Sequence, residues 1–102
     1  MTKKYQQLPQ VAFGILLALS LKPRHGYEII KQVEEDSNGK IKLWPGALYA
    51  SIKQLHDQKL IEEIDGREKP SETNDSRRRY YRITDKGKKR LHAELAYYQK
   101  SL

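Results

Sequence analysis

The stretch Leu43-Trp44-Pro45-Gly46-Ala47-Leu48-Tyr49-Ala50-Ser51-Ile52-Lys53-Gln54-Leu55 decides the fold. It reads as a helix with two unlike faces. Pro45 suits the first turn, where a missing N–H costs nothing and a fixed φ matches the helix. Leu48, Ile52 and Leu55 recur at i, i+4 and i+7 and make one apolar stripe. The other side carries Gly46, Ala50, Lys53 and Gln54, with Ala47 and Ser51 on one shoulder and Tyr49 on the other, and no carboxylate before Asp57. Small residues let such a face approach a DNA major groove closely. Lys53 and Gln54 can reach base edges or phosphates, and a Tyr49 hydroxyl can bond a phosphate oxygen. An ordinary amphipathic helix with a solvated face shows the same pattern, so the rest of the chain must separate the two readings.

Charge does part of this. The chain has 102 residues, which suits one domain with a single modest core. Its formal net charge is +7. Between Gly66 and Arg90 stand ten Lys and Arg against four Asp and Glu; the segment before it has nine against eight, and the segment after it one against one. The excess is thus concentrated just behind the central helix, the footprint expected of a nucleic-acid surface. There is no cysteine, which excludes a disulfide framework, a thiol nucleophile and a cysteine-based metal or redox site, and fits a cytoplasmic location. The apolar run from Val11 to Leu21 is followed by Lys22, Pro23 and Arg24 without a cleavage site, and is shorter than the roughly 20 residues that span a bilayer. It reads as a buried helix, with no membrane partner.

Outward from the central helix, the elements fall into an order. A first helix starts at Pro9 and runs to about Leu21. It is apolar on so many sides (Val11, Ile15, Ala18 and Leu19 on one, Phe13, Leu16 and Leu17 on others) that a second chain is expected to help cover it. A second helix spans about Gly26 to Asp36, with Tyr27, Ile30 and Val33 inward and Ile29 beside them. Ser37-Asn38-Gly39 is a turn, and Ile41-Lys42-Leu43 alternates like a very short strand. Beyond the central helix, which ends near Gln58, Leu60 to Ile64 reads as a strand, Asp65 to Ser76 as a polar turn, and Arg77 to Ile83 as a basic, aromatic return strand. Tyr80 and Tyr81 should point to opposite faces of it, one inward. Thr84 is a plausible N-cap for a last helix, with Asp85 at its positive end. Along that helix Leu91, Leu95, Tyr98 and Leu102 recur at i, i+4, i+7 and i+11, a stripe suited to burial against a second copy.

Helix, helix, helix, hairpin, helix is the order of a winged helix-turn-helix. The expected fold is mainly α with a small β-hairpin wing: residues 1–83 form the DNA-binding domain and 84–102 a C-terminal dimerisation helix. The third helix would enter the major groove, and Arg77, Arg78 and Arg79 near the wing tip would reach phosphates or the adjacent minor groove. The candidate DNA contacts are therefore Tyr49, Ala50, Ser51, Lys53, Gln54, Arg77, Arg78 and Arg79. The candidate dimer contacts are Leu91, Leu95, Tyr98 and Leu102.

Three blocks also carry a resemblance. His25-Gly26-Tyr27-Glu28-Ile29, then Leu43-Trp44-Pro45-Gly46-Ala47-Leu48-Tyr49 with Leu55 and Leu60-Ile61, then Arg79-Tyr80-Tyr81-Arg82-Ile83-Thr84-Asp85-Lys86-Gly87, in this order and spacing, resemble the PadR family of bacterial transcription regulators over about Leu8 to Leu95. The resemblance implies a homodimeric winged-helix repressor that binds palindromic operators, pairs through its last helix and, in relatives, responds to small aromatic or planar cationic inducers, phenolic acids among them. The chain resembles the short subgroup with one terminal helix. Two departures stand out. Ala47 stands where Thr or Ser is usual, and Lys59 stands where Gly is usual before Leu-Ile, although a left-handed helix cap suits Gly better than Lys.

Other residues carry weaker signals. His25, His56 and His92 are scattered, without carboxylate clusters, and read as ordinary surface or boundary histidines rather than metal ligands. Trp44 and Tyr97 are the candidate residues for a planar aromatic inducer, against the plainer reading of both as packing residues. No glycine-rich phosphate loop, metal spacing or nucleophile–base pattern is present, which argues against an enzyme and against a cofactor. Two classes remain. The first is a sequence-specific regulator of double-stranded operator DNA; the second is a winged-helix module for protein assembly or non-specific nucleic-acid binding.

Overall fold

Helix α1 (Gln10–Leu19) is the central element of the computed structural model, which describes residues 6–64 and 79–100. Around it lie α2 (Gly26–Asp36), α3 (Pro45–Asp57) and α4 (Asp85–Lys100). Strands β1 (Arg24–His25), β2 (Ile61–Ile64) and β3 (Tyr80–Ile83) form an antiparallel sheet in the order β1-β3-β2. The polar turn expected from Asp65 to Ser76, and with it Arg77, Arg78 and Leu102, lies outside the described residues. None of the described helices is long and apolar enough to cross a membrane.

The apolar content of α1 has an explanation within one chain. This helix touches α2, α3, α4 and β3, and Ala12, Ile15, Leu16, Ala18 and Leu19 are buried in the common core. Only Val11, Phe13 and Leu17 stay half-buried. The chain's own elements thus cover most of α1, a larger share than expected of a helix that a second chain would help cover: a helix with neighbours on most sides is apolar on most sides.

Helix α2 has the expected bounds but a different inward face. Gly26, Ile29 and Val33 are buried, Ile30 is half-buried, and Tyr27 is exposed, with the Lys31 ammonium 5.2 Å from its ring centre. The helix starts on a capping box made by histidine. His25 Nδ1 accepts from the Glu28 N–H at 3.3 Å, and Glu28 Oε1 accepts from the His25 N–H at 3.1 Å, so two otherwise orphaned donors are satisfied. His25 is therefore a buried cap, not a surface histidine. It also belongs to β1, whose register sets Arg24 opposite Tyr81 and His25 opposite Tyr80. Two residues between Pro23 and Gly26 have no periodicity from which to read this third strand. The short strand expected at Ile41 to Leu43 does not form. Leu43 is buried and Ile41 half-buried without pairing, and Ser37 Oγ holds the loop by accepting from the Ile41 N–H at 2.9 Å.

Both wing tyrosines are buried, where one was expected inward. Alternation does place them on opposite faces. Tyr81 joins Ile61 and Ile83 in the main core, and Tyr80 meets the His25 ring edge-on at 5.2 Å. The sheet is covered on both sides here, so alternation did not separate inside from outside.

Helix α4 begins inside the same core. Thr84 caps it, accepting from the Gly87 N–H at 3.0 Å, and Gly87, Leu91 and Glu94 are buried. Leu91 is 4% exposed and packs with the protomer's own core, so the expected dimer stripe loses this member. Leu95 and Tyr98 are exposed at 39% and 41%. Glu94 is fully buried: its two oxygens accept from the Leu8 N–H at 3.1 and 3.2 Å, and Arg90 pairs with it at 3.3 Å. A carboxylate without water needs such partners, and here they tie the segment before α1 to α4.

Candidate nucleic-acid interface

Helices α2 and α3 form the helix-turn-helix pair. They approach closely because residue 26 is glycine: a Cβ there would sit 2.6 Å from the Tyr49 hydroxyl and 3.2 Å from a Leu48 methyl. The turn between them is shaped by a Schellman end to α2. Asn38 (φ 55) and Gly39 (φ 80) are left-handed, and their N–H groups bond the Glu35 and Glu34 carbonyls at 3.1 and 2.7 Å.

Helix α3 presents the two faces read from its sequence. Leu48, Ile52 and Leu55 are buried. Gly46, Ala47, Ala50, Lys53 and Gln54 are exposed, Tyr49 is about half-exposed, and Ser51 is half-buried on the shoulder. Lys53 reaches back to Asp57 at 3.1 Å, with both side chains largely in solvent. An exposed i,i+4 pair of this kind is worth only about 0.3–0.5 kcal/mol, so a phosphate or a base edge can take Lys53 from it. Trp44 is the N-cap of α3 and is 77% exposed, so it is not a packing residue in this chain. Tyr97 packs edge-on against Tyr98 with centroids 5.9 Å apart, and Tyr98 against Phe13 at 5.7 Å. Partial burial, and then the Glu94 carboxylate, hold the Tyr98 phenol above its ordinary pKa of 10.0.

The wing strands flank α3. Their register sets Glu63 opposite Tyr81 and Glu62 opposite Arg82, and so divides the charges between two faces. Arg82 Nε meets Glu62 Oε1 at 2.6 Å on one face. On the other, Arg79 Nε lies 3.8 Å from Glu63 Oε1 and the guanidinium is largely exposed. A cleft of about 280 Å³ opens between this face and α3, with Tyr49, Lys53 and His56 on the helix side and Glu63, Arg79 and Tyr81 on the wing side. Burial, and then Glu63, raise the Tyr81 phenol above 10.0 against the opposing effect of Arg79, so it stays a neutral hydroxyl. Of the expected DNA contacts, the structure brings Tyr49, Lys53 and Arg79 to this cleft and leaves Ala50 and Gln54 exposed on α3. Sequence reasoning missed His56, Glu63 and Tyr81. For His56 the signal was present, since it follows Tyr49 by seven residues and Lys53 by three and so shares their flank of α3. For the wing residues there was none, because strand register fixes which of them face α3. No group of acidic and histidine side chains able to hold a metal occurs among the described residues.

A helix-turn-helix with a polar, carboxylate-poor third helix and an adjoining hairpin whose return strand is rich in arginine defines a winged helix-turn-helix DNA-binding protein. Comparison with known proteins narrows this. The chain belongs to the transcriptional regulator PadR-like family, whose model matches residues 15–93. A PadR family transcription regulator from hypervirulent Clostridium difficile R20291 superposes with a TM-score of 0.74 at 27% identity, covering 89% of this chain and 88% of that one. Bacillus subtilis PadR, solved in complex with operator DNA, superposes with a TM-score of 0.69 at 24% identity, covering 85% of this chain and 47% of that one. An uncharacterized protein of Lysinibacillus sphaericus is 35% identical over 76 residues, which is 74% of this chain; the chain spans 66% of that relative's length. The protein is thus a PadR-like, DNA-binding transcriptional regulator.

Proposed function

We propose that this regulator is a repressor that occupies a palindromic operator as a homodimer, and that a small planar aromatic ligand releases it. The observation that carries the reading is the polar face of α3, with Gly46, Ala50, Lys53 and Gln54 outward, beside the largely exposed Arg79 of the wing. Base contacts come from Lys53 and Gln54, backbone contacts from Tyr49, Ser51 and the arginines Arg77, Arg78 and Arg79. That Bacillus subtilis PadR, which shares the fold, was solved in complex with operator DNA supports operator binding in general. Two copies pair through the far half of α4, where Leu95 and Tyr98 leave apolar surface in solvent. The two α3 helices then meet half-sites about one helical turn apart. The gathered rings of Phe13, Tyr97 and Tyr98 favour an aromatic inducer at the paired helices, one that changes the spacing of the α3 helices. Trp44 offers a second, largely exposed ring at the start of α3.

Fluorescence anisotropy tests the reading, with the DNA immediately upstream of the chain's own gene compared with a scrambled duplex of equal length over a salt series. A preference of roughly 10³-fold or more is expected for a specific operator. Equal binding that vanishes alike for both duplexes as salt rises would reduce the interaction at that DNA to electrostatic attachment. Light scattering tests the pairing: Leu95→Asp should halve the molar mass, and a persistent dimer would remove α4 as the principal contact. A panel of planar aromatics in a thermal-shift assay tests the inducer, and an unchanged melting point across the panel would sink it.

A further inference from the structure

Beyond the end of α1 the chain presents a ridge that neither the DNA face nor the α4 pairing uses. Leu21 is 87% exposed, more than any other large apolar side chain among the described residues. A lone exposed leucine needs no explanation. Leu21, however, stands between two hollows that share it and Ser20 as a common wall. The hollow toward α2, of about 310 Å³, is lined by apolar Leu17 and Ala18 and by Arg24, Gln32 and Asp36. The hollow toward β3 and α4, of about 160 Å³, is lined by apolar Pro23 and Ile83 and by Lys22, Arg82 and Lys88.

Charge divides along the same ridge. Arg82 is paired with Glu62, but Lys22 and Lys88 are exposed and no carboxylate lines their hollow. On the α2 side, Arg24 Nε donates to the Ala18 carbonyl at 2.7 Å, which turns its charge onto the end of α1. Asp36 is exposed and accepts from the Gln32 amide at 2.8 Å. It closes the run Glu34-Glu35-Asp36 in the last turn of α2, which holds no basic residue. Carboxylates at the negative end of a helix dipole are unfavourable there, and a cation brought from outside relieves them. The ridge is also sterically free. The contact of α4 with α1 through Tyr98 lies at Phe13, and Leu21 is eight residues further on, about 12 Å along a helix. Arg82 lies on the face of the wing opposite the one that meets α3.

We infer that the Leu21 ridge is a second contact between copies of this chain. Two copies meet across a two-fold axis beside Leu21; each leucine enters the α2-side hollow of the other copy, and the Lys22 of each meets the Asp36 of the other. The hollows lie on opposite sides of Leu21, so a half-turn lays the cationic flank of one copy over the carboxylate flank of the other. The surface is therefore self-complementary, as an isologous contact requires. The inference goes beyond the α4 pairing and stands without it. Where both contacts form, the ridge joins one pair to the next, and pairs on neighbouring stretches of DNA bind cooperatively.

A contact of this size is weak, so it is sought by light scattering at low salt while the protein is raised to a few hundred micromolar. The native chain should double the mass of its smallest species as concentration rises. Leu21→Asp should keep that smallest mass throughout, with an unchanged melting point because the side chain is exposed. Lys22→Glu and Asp36→Lys should each weaken the association roughly tenfold, since either change sets two like-charge pairs in a two-fold contact. The double variant Lys22→Glu/Asp36→Lys should return to within about threefold of the native chain, a rescue that a loss of folding cannot give. Equal masses for the native chain and Leu21→Asp at every concentration would overturn the ridge, and so would a double variant no better than the single ones. Either result leaves standing the α4 pairing, which Leu95→Asp tests separately.

Discussion

Two regions of this protein show opposite relations between residue and role. At the junction of α3, β2 and α4, buried or capping residues are held by several contacts at once. On the outer face of α3, exposed residues are held by almost none. The junction begins with a Schellman end to α3: the Lys59 N–H bonds the His56 carbonyl and the Leu60 N–H bonds the Leu55 carbonyl, both at 2.9 Å. Thr84 then closes on it. Its hydroxyl donates to the Lys59 carbonyl at 2.7 Å, and its N–H donates to the Leu60 carbonyl at 3.0 Å. Gly87 lies one turn on, where a Cβ would overlap the Leu60 carbonyl oxygen and crowd Ile83. Much of the pattern that marks the family, Leu60-Ile61 with Thr84 and Gly87, is thus the joint between wing and terminal helix rather than the DNA surface. A recurring pattern can report how a fold is held as readily as what it binds.

The largest effect should come from breaking that joint. Gly87→Ala forces a methyl against backbone, which cannot yield as a side chain end can, and should cost about 3 kcal/mol, the upper part of the range for overpacked cores. Urea denaturation at fixed protein concentration measures it. Stability unchanged within about 0.5 kcal/mol would mean that α4 can shift away from Leu60 at no cost. By contrast, Gly26→Ala meets mainly the movable end of Tyr49 and should be milder.

The opposite result is expected on the face of α3. Lys53→Ala and Gln54→Ala remove exposed side chains and should leave stability within about 0.5 kcal/mol of the native chain. Each should nonetheless cost about 1–3 kcal/mol in discrimination between operator and scrambled DNA where it reads a base edge. Lys53→Ala also releases Asp57, whose free carboxylate adds repulsion to phosphate. Native discrimination in both variants would mean that another part of the chain reads the bases.

The same contrast explains what was legible in the sequence. The helices of the helix-turn-helix, the cap at Thr84 and the two faces of α3 follow from local rules, since 3.6-residue periodicity and capping involve neighbours in sequence. The charge accumulated behind α3 was legible for the same reason. What failed depended on partners distant in the chain. Leu91 reads as part of a continuous stripe, but α4 starts in the core and leaves it partway along, so one period serves two surfaces. The burial of Glu94 has no local signal, because its partner Leu8 lies at the other end of the chain. Tyr27 reads as core because it keeps step with Ile30 and Val33, yet α1 and α3 cover the Ile29 side of α2. The cleft was illegible as a unit, because its wing half is chosen by pairing register, although His56 itself could have been placed beside Lys53.

The smallest expected effect improves the joint. Lys59 has φ 62, a left-handed conformation that a Cβ disfavours and glycine adopts freely. The sequence flagged this position, and the structure places it at the residue after the α3 C-cap, where that conformation is required by the Schellman bonds. The Lys59 side chain is exposed and its backbone carbonyl makes the bond to Thr84, so glycine would keep every contact of the joint. Lys59→Gly should therefore stabilise the protein by about 1 kcal/mol, less the entropy that glycine gives to the unfolded chain, and raise Tm by roughly 4 °C. A lower Tm would show that unfolded-state entropy outweighs left-handed strain here, and that the joint has no conformational cost left to relieve.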